Sequence, residues 1–396
     1  MIPRPDVVAL CCDLIAVNSE NPPGREAEVV ACAADLLGRA GFDLETVEPR
    51  PGRRSLVARL HRGRGRRLIL QAHADTKPAG PVGVPGGWSS DPFVPVERDG
   101  LLVGLGACDT KGGLAAQLAA ACELAHQPGW SGELVVQVVA DEEDGSALGA
   151  GTLLEMGLLR GDGAVVAEPT GCQPSLAQLG NAWSEITIDG RAAHAGHPAR
   201  GRDAFRAMTR LVMVLDELLS TVPTHPAFPG HPRLNVGDLA LPGHPGTVPG
   251  RCRMRCDVRI SPGADRDDTH ALYRRAADQV ATELGVDIDV APYQGGGCRS
   301  HEIPLDHPLA QAFVLVEHVS GRPGRTLPFA GGTDARYFAA AGTPALVHGP
   351  GHLEQAHAPD EFVPVAQLRL AQQQLVALAH QFLVPTRHPA PIGARP

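Results

Sequence analysis

The feature that most constrains this chain is an apolar run that ends in a histidine and an aspartate. In the segment RRLILQAHADTKPAG, the aliphatic residues predict a buried β-strand, and Pro78 and Gly80 then end it in a loop. His73 and Asp75 therefore lie at the end of the strand, where open α/β sheets bind their ligands. An isolated H-x-D pattern more often marks a core histidine, so the rest of the chain must decide between a structural and a functional role.

Three further segments place acidic residues after a predicted strand or within a turn. Asp109 lies in the glycine-rich turn of GLGACDTKGG, an apolar strand at residues 134–140 ends in four consecutive acids, and a strand at residues 164–167 ends in Glu168. Helix-like segments separate these strands, which is the βαβ order of a parallel sheet. Because parallel strands end at the same edge of a sheet, the sequence predicts that these side chains converge.

The four acids at residues 141–144 crowd like charges at the tip of an apolar strand, and such charges repel unless a cation offsets them. Imidazole and carboxylate groups without thiolates suit one or two ions of zinc, manganese or cobalt. Two such ions about 3.5–4 Å apart need a bridging carboxylate. The chain also supplies one acid beyond the ligands, Glu142, which fits a general base fixed beside a metal.

Two other interpretations of these segments are disfavoured by their patterns. The turn around Asp109 loosely resembles a phosphate-binding loop, but Lys111 is followed by Gly112 rather than by a serine or threonine. Cys252 and Cys256 are four residues apart and lack a second cysteine pair, which disfavours a cysteine metal site.

Length and charge limit the possible partners. The chain has 396 residues, enough for two domains, and its formal net charge of −9 disfavours a nucleic-acid surface unless a local basic patch exists. Basic residues do cluster at residues 62–67, between two strand-like runs. We interpret this cluster as a solvated hairpin turn.

The sequence also indicates the compartment. No apolar run reaches the ~18 residues that a membrane span needs. Asp6 and Asp13 fall inside the apolar pattern of the N-terminal segment, which predicts an amphipathic helix rather than a signal peptide. The nine cysteines are scattered and include no C-x-x-C pair, which favours reduced thiols. We therefore expect a cytoplasmic protein that binds neither nucleic acid nor membrane.

The pattern changes between residues 183 and 292, where strand, helix, strand, strand, helix and strand follow one another. This is the order of a small antiparallel α+β unit, and the alternating strands are half-exposed. The parallel-sheet pattern returns afterwards, so the small unit interrupts a larger domain. We predict a catalytic domain at 1–180 and 295–385, the small domain at 181–294, and a disordered tail at 386–396.

Five motifs occur in an order and spacing that resemble a known family: HADTKPAG, GLGACDTKGG, DEEDGS, AEPTG and AHAPDEF. The chain is similar, over nearly its whole length, to the di-zinc metallohydrolases that include acetylornithine deacetylase, succinyl-diaminopimelate desuccinylase, aminoacylase and glutamate carboxypeptidase. The resemblance implies an α/β fold: a zinc-peptidase-like catalytic domain with a mostly parallel central sheet, interrupted by a ferredoxin-like dimerisation domain.

The resemblance also implies two Zn²⁺ ions per subunit, for which Co²⁺ or Mn²⁺ could substitute. The five implied metal ligands are His73, Asp109, Glu143, Glu168 and His357. In this pattern Asp109 bridges the ions. Glu142 is the general acid and base, and the carboxylate of Asp75 orients His73, as metal-bound imidazoles require.

Three further residues match family positions that complete the site. His194, in RAAHAGHPARGRDA, matches a histidine that reaches an active site, which in dimers is that of the partner subunit. Asn235 and Arg336 match positions that contact the substrate carboxylate or the scissile carbonyl, and the guanidinium fork of arginine suits that task. The chain departs from the family at Leu105, where arginine is common, and at Gly246, where asparagine often precedes the Val-Pro pair.

The resulting prediction is a homodimeric, metal-dependent amidohydrolase that cleaves a small N-acyl amino acid. A dipeptidase or carboxypeptidase of the same family is the alternative enzyme, since it would use the same metals and mechanism. A non-catalytic binding homologue is the alternative from another class. That interpretation requires a missing ligand or base, and the sequence lacks neither.

Overall fold

The computed structural model describes residues 5–319 and 321–383. The predicted tail at 386–396 lies outside these residues. In the described chain the helices are α1 Val7–Ile15, α2 Ala27–Arg39, α3 Lys111–His126, α4 Ala150–Glu155, α5 Ala204–Leu219, α6 Arg266–Leu284, α7 Pro308–Val319, α8 Ala335–Ala340 and α9 Val365–Phe382. No helix among them combines the length and the apolar character that crossing a membrane requires.

The strands of the described chain are β1 Asp43–Arg50, β2 Arg53–Arg62, β3 Arg67–His73, β4 Val96–Arg98, β5 Leu101–Val103, β6 Gly132–Val139, β7 Gly163–Val166, β8 Ala177–Gln178, β9 Gly180–Asp189, β10 Ala193–His194, β11 Leu234–Ala240, β12 Thr247–Val248, β13 Arg251–Ile260, β14 Asp287–Pro292, β15 His301–Glu302, β16 Pro328–Phe329, β17 Ala345–Val347 and β18 Phe362–Pro364.

The chain forms two compact units. Among the described residues, one contains 5–176, 303–319, 321–327 and 333–383, and the other contains 177–302 and 328–332. We call them the large unit and the small unit. The domain boundaries drawn from the sequence remain a prediction; the small unit begins at Ala177 and its main segment ends at Glu302.

The large unit is built on a six-stranded sheet of order β1-β2-β6-β3-β7-β17. The four strands β6, β3, β7 and β17 are parallel, and β2 and β1 continue the sheet antiparallel. Nearly every residue of β3, β6 and β7 is buried, as expected for parallel strands covered on both faces. Helix α3 is almost fully buried and packs against α1 and α9.

The register of the parallel strands aligns their carboxyl ends. His73, the last residue of β3, is the partner of Val139, the last residue of β6, and Gln71 is the partner of Val166 at the end of β7. The residues that follow these three strands therefore emerge together at one edge of the sheet. This is the convergence that the sequence predicts.

The basic segment at residues 62–67 is not a hairpin turn, so that prediction is wrong. Strands β2 and β3 do not pair with each other, because β6 lies between them and pairs with both. Two of the arginines reach helix ends instead: Arg62 donates to the carbonyls of Ala125 and Gln127, and Arg66 donates to the carbonyl of Phe382 at 3.2 Å. Cations at helix carboxyl ends complement the helix dipole.

The small unit contains a four-stranded antiparallel sheet of order β11-β13-β9-β14. Helices α5 and α6 pack against each other and on this sheet. Every second residue of β13 is buried, among them Cys252, Met254 and Cys256, and these side chains join the apolar core with the helices. The strand–helix–strand–strand–helix–strand order that the sequence predicts is thus confirmed.

Candidate metal centre

The predicted ligands of the large unit gather at the carboxyl edge of its parallel strands. His73 ends β3, Glu142 and Glu143 occupy a short 3₁₀ turn after β6, and Glu168 lies two residues beyond β7. Asp109 lies two residues before α3, which returns the chain across the sheet. Residues distant in sequence thus meet because each follows or precedes an element anchored in the sheet.

The first group of potential ligands is buried. His73, Asp109 and Glu168 each offer an atom within 4.8 Å of the others. His73 Nε2 lies 3.1 Å from Asp109 Oδ1. Glu168 Oε1 is buried and has no hydrogen-bond partner. Burial raises the pKa of Glu168 well above its usual value, and the charges of Asp109 and Glu142 raise it further.

The second group is partly open to solvent and contains Asp109, Glu143 and His357. His357 Nε2 lies 3.1 Å from both carboxylate oxygens of Glu143 and 3.3 Å from Asp109 Oδ2, and its side chain is 48% exposed. Hydrogen bonds to Asp109 and Glu143 outweigh the effect of burial and raise the pKa of His357 to about 10.

Asp109 belongs to both groups. Burial alone would raise its pKa, but the hydrogen bonds to His357 and His73 hold that pKa far below the usual range. A carboxylate that faces one histidine with each oxygen has the placement that a bridging ligand needs. Together with the unpartnered Glu168 oxygen and the crowded acids, this donor set fits divalent cations of the zinc type.

Asp75 contacts His73 through both its main-chain carbonyl and its carboxylate, and its predicted role in orienting His73 remains a prediction. His73 Nδ1 donates to the main-chain carbonyl of Asp75 at 2.9 Å, whereas the nearer carboxylate oxygen is 3.5 Å away. The carboxylate also accepts from the main-chain N–H groups of Glu142 at 3.2 Å and Glu143 at 3.1 Å, and from Asn21 Nδ2 at 2.8 Å. Asp75 therefore links the histidine to the acidic turn.

The four acids at residues 141–144 have separate roles. Asp141 is buried and pairs with Arg53 at 2.5 Å, while Asp144 is exposed. Glu143 joins the second ligand group. Burial raises the pKa of Glu142 to about 8; the charge of His73 opposes that rise, while Asp334 and Glu143 add to it. A carboxyl group with such a pKa can both accept and donate a proton near neutral pH.

Sequence reasoning missed two residues that hold the ligands. Glu361 is buried and accepts hydrogen bonds from main-chain N–H groups of the loop that carries Asp109. Lys77 donates to the main-chain carbonyl of Glu143, and its Nζ lies 3.4 Å from Glu143 Oε2. Glu361 lies in the motif AHAPDEF, four residues after His357, and Lys77 lies in HADTKPAG, four residues after His73. Their places in these motifs are the sequence signal that could have identified them.

The predicted substrate-binding residues Arg336 and Asn235 and the predicted catalytic histidine His194 lie on different elements. Arg336 is the second residue of α8. Its guanidinium donates to the carbonyls of Thr333 at 3.1 Å and Gly145 at 3.3 Å. His194 and Asn235 are exposed residues of the small unit, on β10 and on the edge strand β11. Their predicted roles remain predictions.

Comparison with known proteins agrees with this fold. The model of peptidase family M20/M25/M40 matches residues 69–381. Acetylornithine deacetylase of Vibrio vulnificus (strain CMCP6) is 30% identical over 88% of this chain and 90% of its own length. That of Photorhabdus laumondii subsp. laumondii is 32% identical over 84% of each chain. The crystal structure of aminopeptidase PepT from Bacillus cereus ATCC 10987 has a TM-score of 0.78 at 20% identity, covering 96% of this chain and 99% of its own, so that likeness concerns the fold.

The chain therefore belongs to peptidase family M20/M25/M40. It is a metal-binding hydrolase that acts on C–N bonds, a metal-dependent amidohydrolase in its reaction class.

Proposed function

We propose that this enzyme hydrolyses the amide bond of a small N-acyl amino acid with the help of two zinc ions. The observation that carries the proposal is the pair of three-residue ligand groups that share Asp109, with Glu142 directly beside them in sequence. The substrate class is supported by the two relatives named acetylornithine deacetylase. Dipeptides are the alternative substrates.

In this proposal His73, Asp109 and Glu168 hold one ion, and Asp109, Glu143 and His357 hold the other. When bound, the ions act as Lewis acids that polarise the carbonyl of the scissile amide and acidify water. The protein holds the donors in place through the contacts of Asp75 with the acidic turn.

Glu142 moves the proton. Its carboxylate accepts a proton from the attacking water as the water oxygen bonds to the carbonyl carbon. The same proton then passes to the amide nitrogen as the C–N bond breaks, which yields a carboxylic acid and a free amine. The acid then releases its remaining proton to solvent or to the amine and becomes a carboxylate. Burial raises the pKa of Glu142 above the usual value of a glutamate, which brings proton uptake and proton release closer to neutral pH.

Arg336 is proposed to bind the free α-carboxylate of the substrate, with Asn235 contacting the carboxylate or the scissile carbonyl. Its guanidinium lies beside the loop that follows the acidic turn, since it donates to the carbonyl of Gly145. Arginine binds a carboxylate through two parallel bonds, which fixes orientation as well as charge.

We further propose a homodimer formed through the small unit, in which His194 completes the site of the partner subunit. Support comes from the edge strand β11, which exposes Val236 and Leu239 although strands of this kind usually need cover. Mixing inactive His194→Ala and Glu142→Ala subunits should restore activity in the heterodimer. A heterodimer that stays inactive would place His194 outside the partner's catalytic site.

A cytoplasmic location is part of the same proposal. All nine cysteines are free, and Cys11, Cys108, Cys122, Cys172, Cys252 and Cys256 are buried. Proteins of reducing compartments keep their thiols in this state.

The test is a hydrolysis assay on protein that has been stripped with a chelator and reloaded with Zn²⁺, Co²⁺ or Mn²⁺. The panel contains N-acetyl and N-succinyl amino acids together with dipeptides. We expect hydrolysis only by reloaded protein and higher kcat/KM for an N-acyl amino acid than for any dipeptide. A preference for dipeptides would favour the alternative, and equal activity of stripped protein would contradict the metal mechanism.

A further inference from the structure

One buried carboxylate outside the ligand groups holds the loop that presents Asp109. Glu361 is 3% exposed, and its Oε1 accepts from the main-chain N–H groups of Cys108 and Asp109, both at 2.8 Å. Its Oε2 accepts from the N–H of Gly106 at 3.1 Å. Three main-chain N–H groups within four residues thus bind to a single side chain, directly at the shared ligand.

The loop needs this acceptor because it is not a regular helix or strand. Gly106 has a φ of +78°, in the left-handed region that favours glycine, so this stretch does not continue into the helix that follows it. In the part of the chain that the structure describes, these three N–H groups have no acceptor other than Glu361. Buried N–H groups without an acceptor are costly, so removing the carboxylate should let the loop move.

The same short segment also carries His357. We call residues 357–361 the clamp segment. Besides the carboxylate of Glu361, its main-chain carbonyl accepts from the N–H of Gly104 at 3.0 Å. Asp360 Oδ1 accepts from the N–H of Ser89 at 2.9 Å and from its hydroxyl at 3.0 Å. The clamp segment is thereby fixed at two places to the chain that precedes α3.

The consequence is geometric. His357 lies at one end of the clamp segment and Glu361 at the other, and Glu361 binds the main chain of Asp109. The positions of the shared ligand and of the exposed histidine are therefore not independent. Asp109, Glu143, His357 and Glu361 all line one small cavity of about 40 Å³.

We propose that Glu361 is a positioning residue that sets the separation between Asp109 and His357 and thereby the metal affinity and geometry of the second ligand group. This rests on the metal assignment proposed above. It predicts a role for a residue that touches neither the ions nor the substrate. Residues that orient metal ligands typically change metal affinity or activity about 10–100-fold when mutated.

Two substitutions at Glu361 distinguish the loss of its hydrogen-bond acceptors from the loss of its charge. Glu361→Gln keeps one carbonyl oxygen, which can still accept from Cys108 and Asp109, but turns a donor NH₂ toward the N–H of Gly106. Glu361→Ala removes all three hydrogen bonds. A matched control is Glu317→Gln: Glu317 is also a buried glutamate of the large unit, but its partners are Arg322 and Gln374, neither of which is a candidate ligand.

The experiment measures Co²⁺ affinity by competition with a chelator and the visible spectrum of the Co²⁺ protein, with kcat and KM determined separately. We expect Glu361→Ala to bind the ion of the second ligand group about 10–100-fold less tightly than wild type. The affinity of Glu361→Gln should lie between those of Glu361→Ala and wild type. Both should alter the spectrum and lower kcat more than they raise KM. Glu317→Gln should lower only the thermal stability.

Circular dichroism of the metal-free variants identifies a variant that does not fold. If Glu361→Ala is unfolded, the proposal is tested with Glu361→Gln alone. A folded Glu361→Gln protein with wild-type Co²⁺ affinity and spectrum overturns the proposal. Wild-type protein that binds no metal would contradict the proposed function instead, so the two failures are distinguishable.

Discussion

The two ligand groups share Asp109 and the same kinds of side chain, yet they differ in their surroundings. In the buried group, Glu168 keeps an oxygen without a hydrogen-bond partner and its pKa is raised. In the exposed group, His357 contacts both acids, and Lys77 lies beside Glu143. Both groups thus include a histidine that contacts Asp109, but the buried group also has a carboxylate oxygen without a hydrogen-bond partner, whereas the exposed group also has a lysine beside it.

This difference predicts unequal binding. An ion in the buried group relieves the repulsion between Asp109 and Glu168 and is shielded from solvent, so it should be held more tightly. An ion in either group displaces a contact between a histidine and Asp109, but an ion in the exposed group must also compete with water and with the ammonium of Lys77. The following variants test this comparison, in decreasing order of their expected effect on metal binding.

Asp109→Ala should have the largest effect, because this carboxylate belongs to both groups. Metal analysis of reloaded wild-type protein should give about two ions per chain, and the variant should retain less than about half an ion per chain. Hydrolysis should be lost with the ions. A folded variant that keeps one tightly bound ion would show that the two groups bind independently of Asp109.

His357→Ala should remove one ion and leave the other. The buried group keeps all of its donors, so about one ion per chain should remain after dialysis. The matched control is His352→Ala, a surface histidine five residues earlier that belongs to neither group. Loss of both ions from His357→Ala, with His352→Ala unaffected, would mean that the groups bind metal cooperatively.

Lys77→Met should alter only the exposed group, and by a smaller amount. Its ammonium lies beside Glu143 and repels an incoming cation, so its removal should tighten the weaker site. Because the side chain is partly exposed, the gain should not exceed about tenfold. Calorimetric titration of the two sites measures it. Weaker binding would show that the hydrogen bond from Lys77 to the main chain of Glu143 matters more than the charge.

Glu142→Gln should leave both ions in place and change turnover alone. The residue belongs to neither group, and the substitution preserves its shape while it removes proton transfer. The value of kcat should fall about 10²–10⁴-fold at wild-type metal content. A variant within a few-fold of wild type would assign the proton transfer to another residue.

Much of the fold could be predicted from the amino-acid sequence alone. Apolar runs separated by helical segments indicated the parallel sheet, and the alternating pattern after residue 183 indicated the antiparallel unit. These patterns are local, since each depends on which faces of one element are buried. The order of strands is not local. The basic segment at residues 62–67 was misassigned because β6, about seventy residues further along the chain, inserts between β2 and β3.

The site divides in the same way. The sequence by itself determined which residue types end the strands, and its motifs indicated the family and the candidate ligands. Only the tertiary structure decided how those residues are held: Asp75 binds the acidic turn through its carboxylate, Asp141 turns away to Arg53, and Glu361 binds the loop of Asp109. The physical reason is that a side chain's hydrogen-bond partner depends on which main-chain groups packing leaves unpaired. That is fixed only when segments from 67 to 252 residues apart in the chain come together.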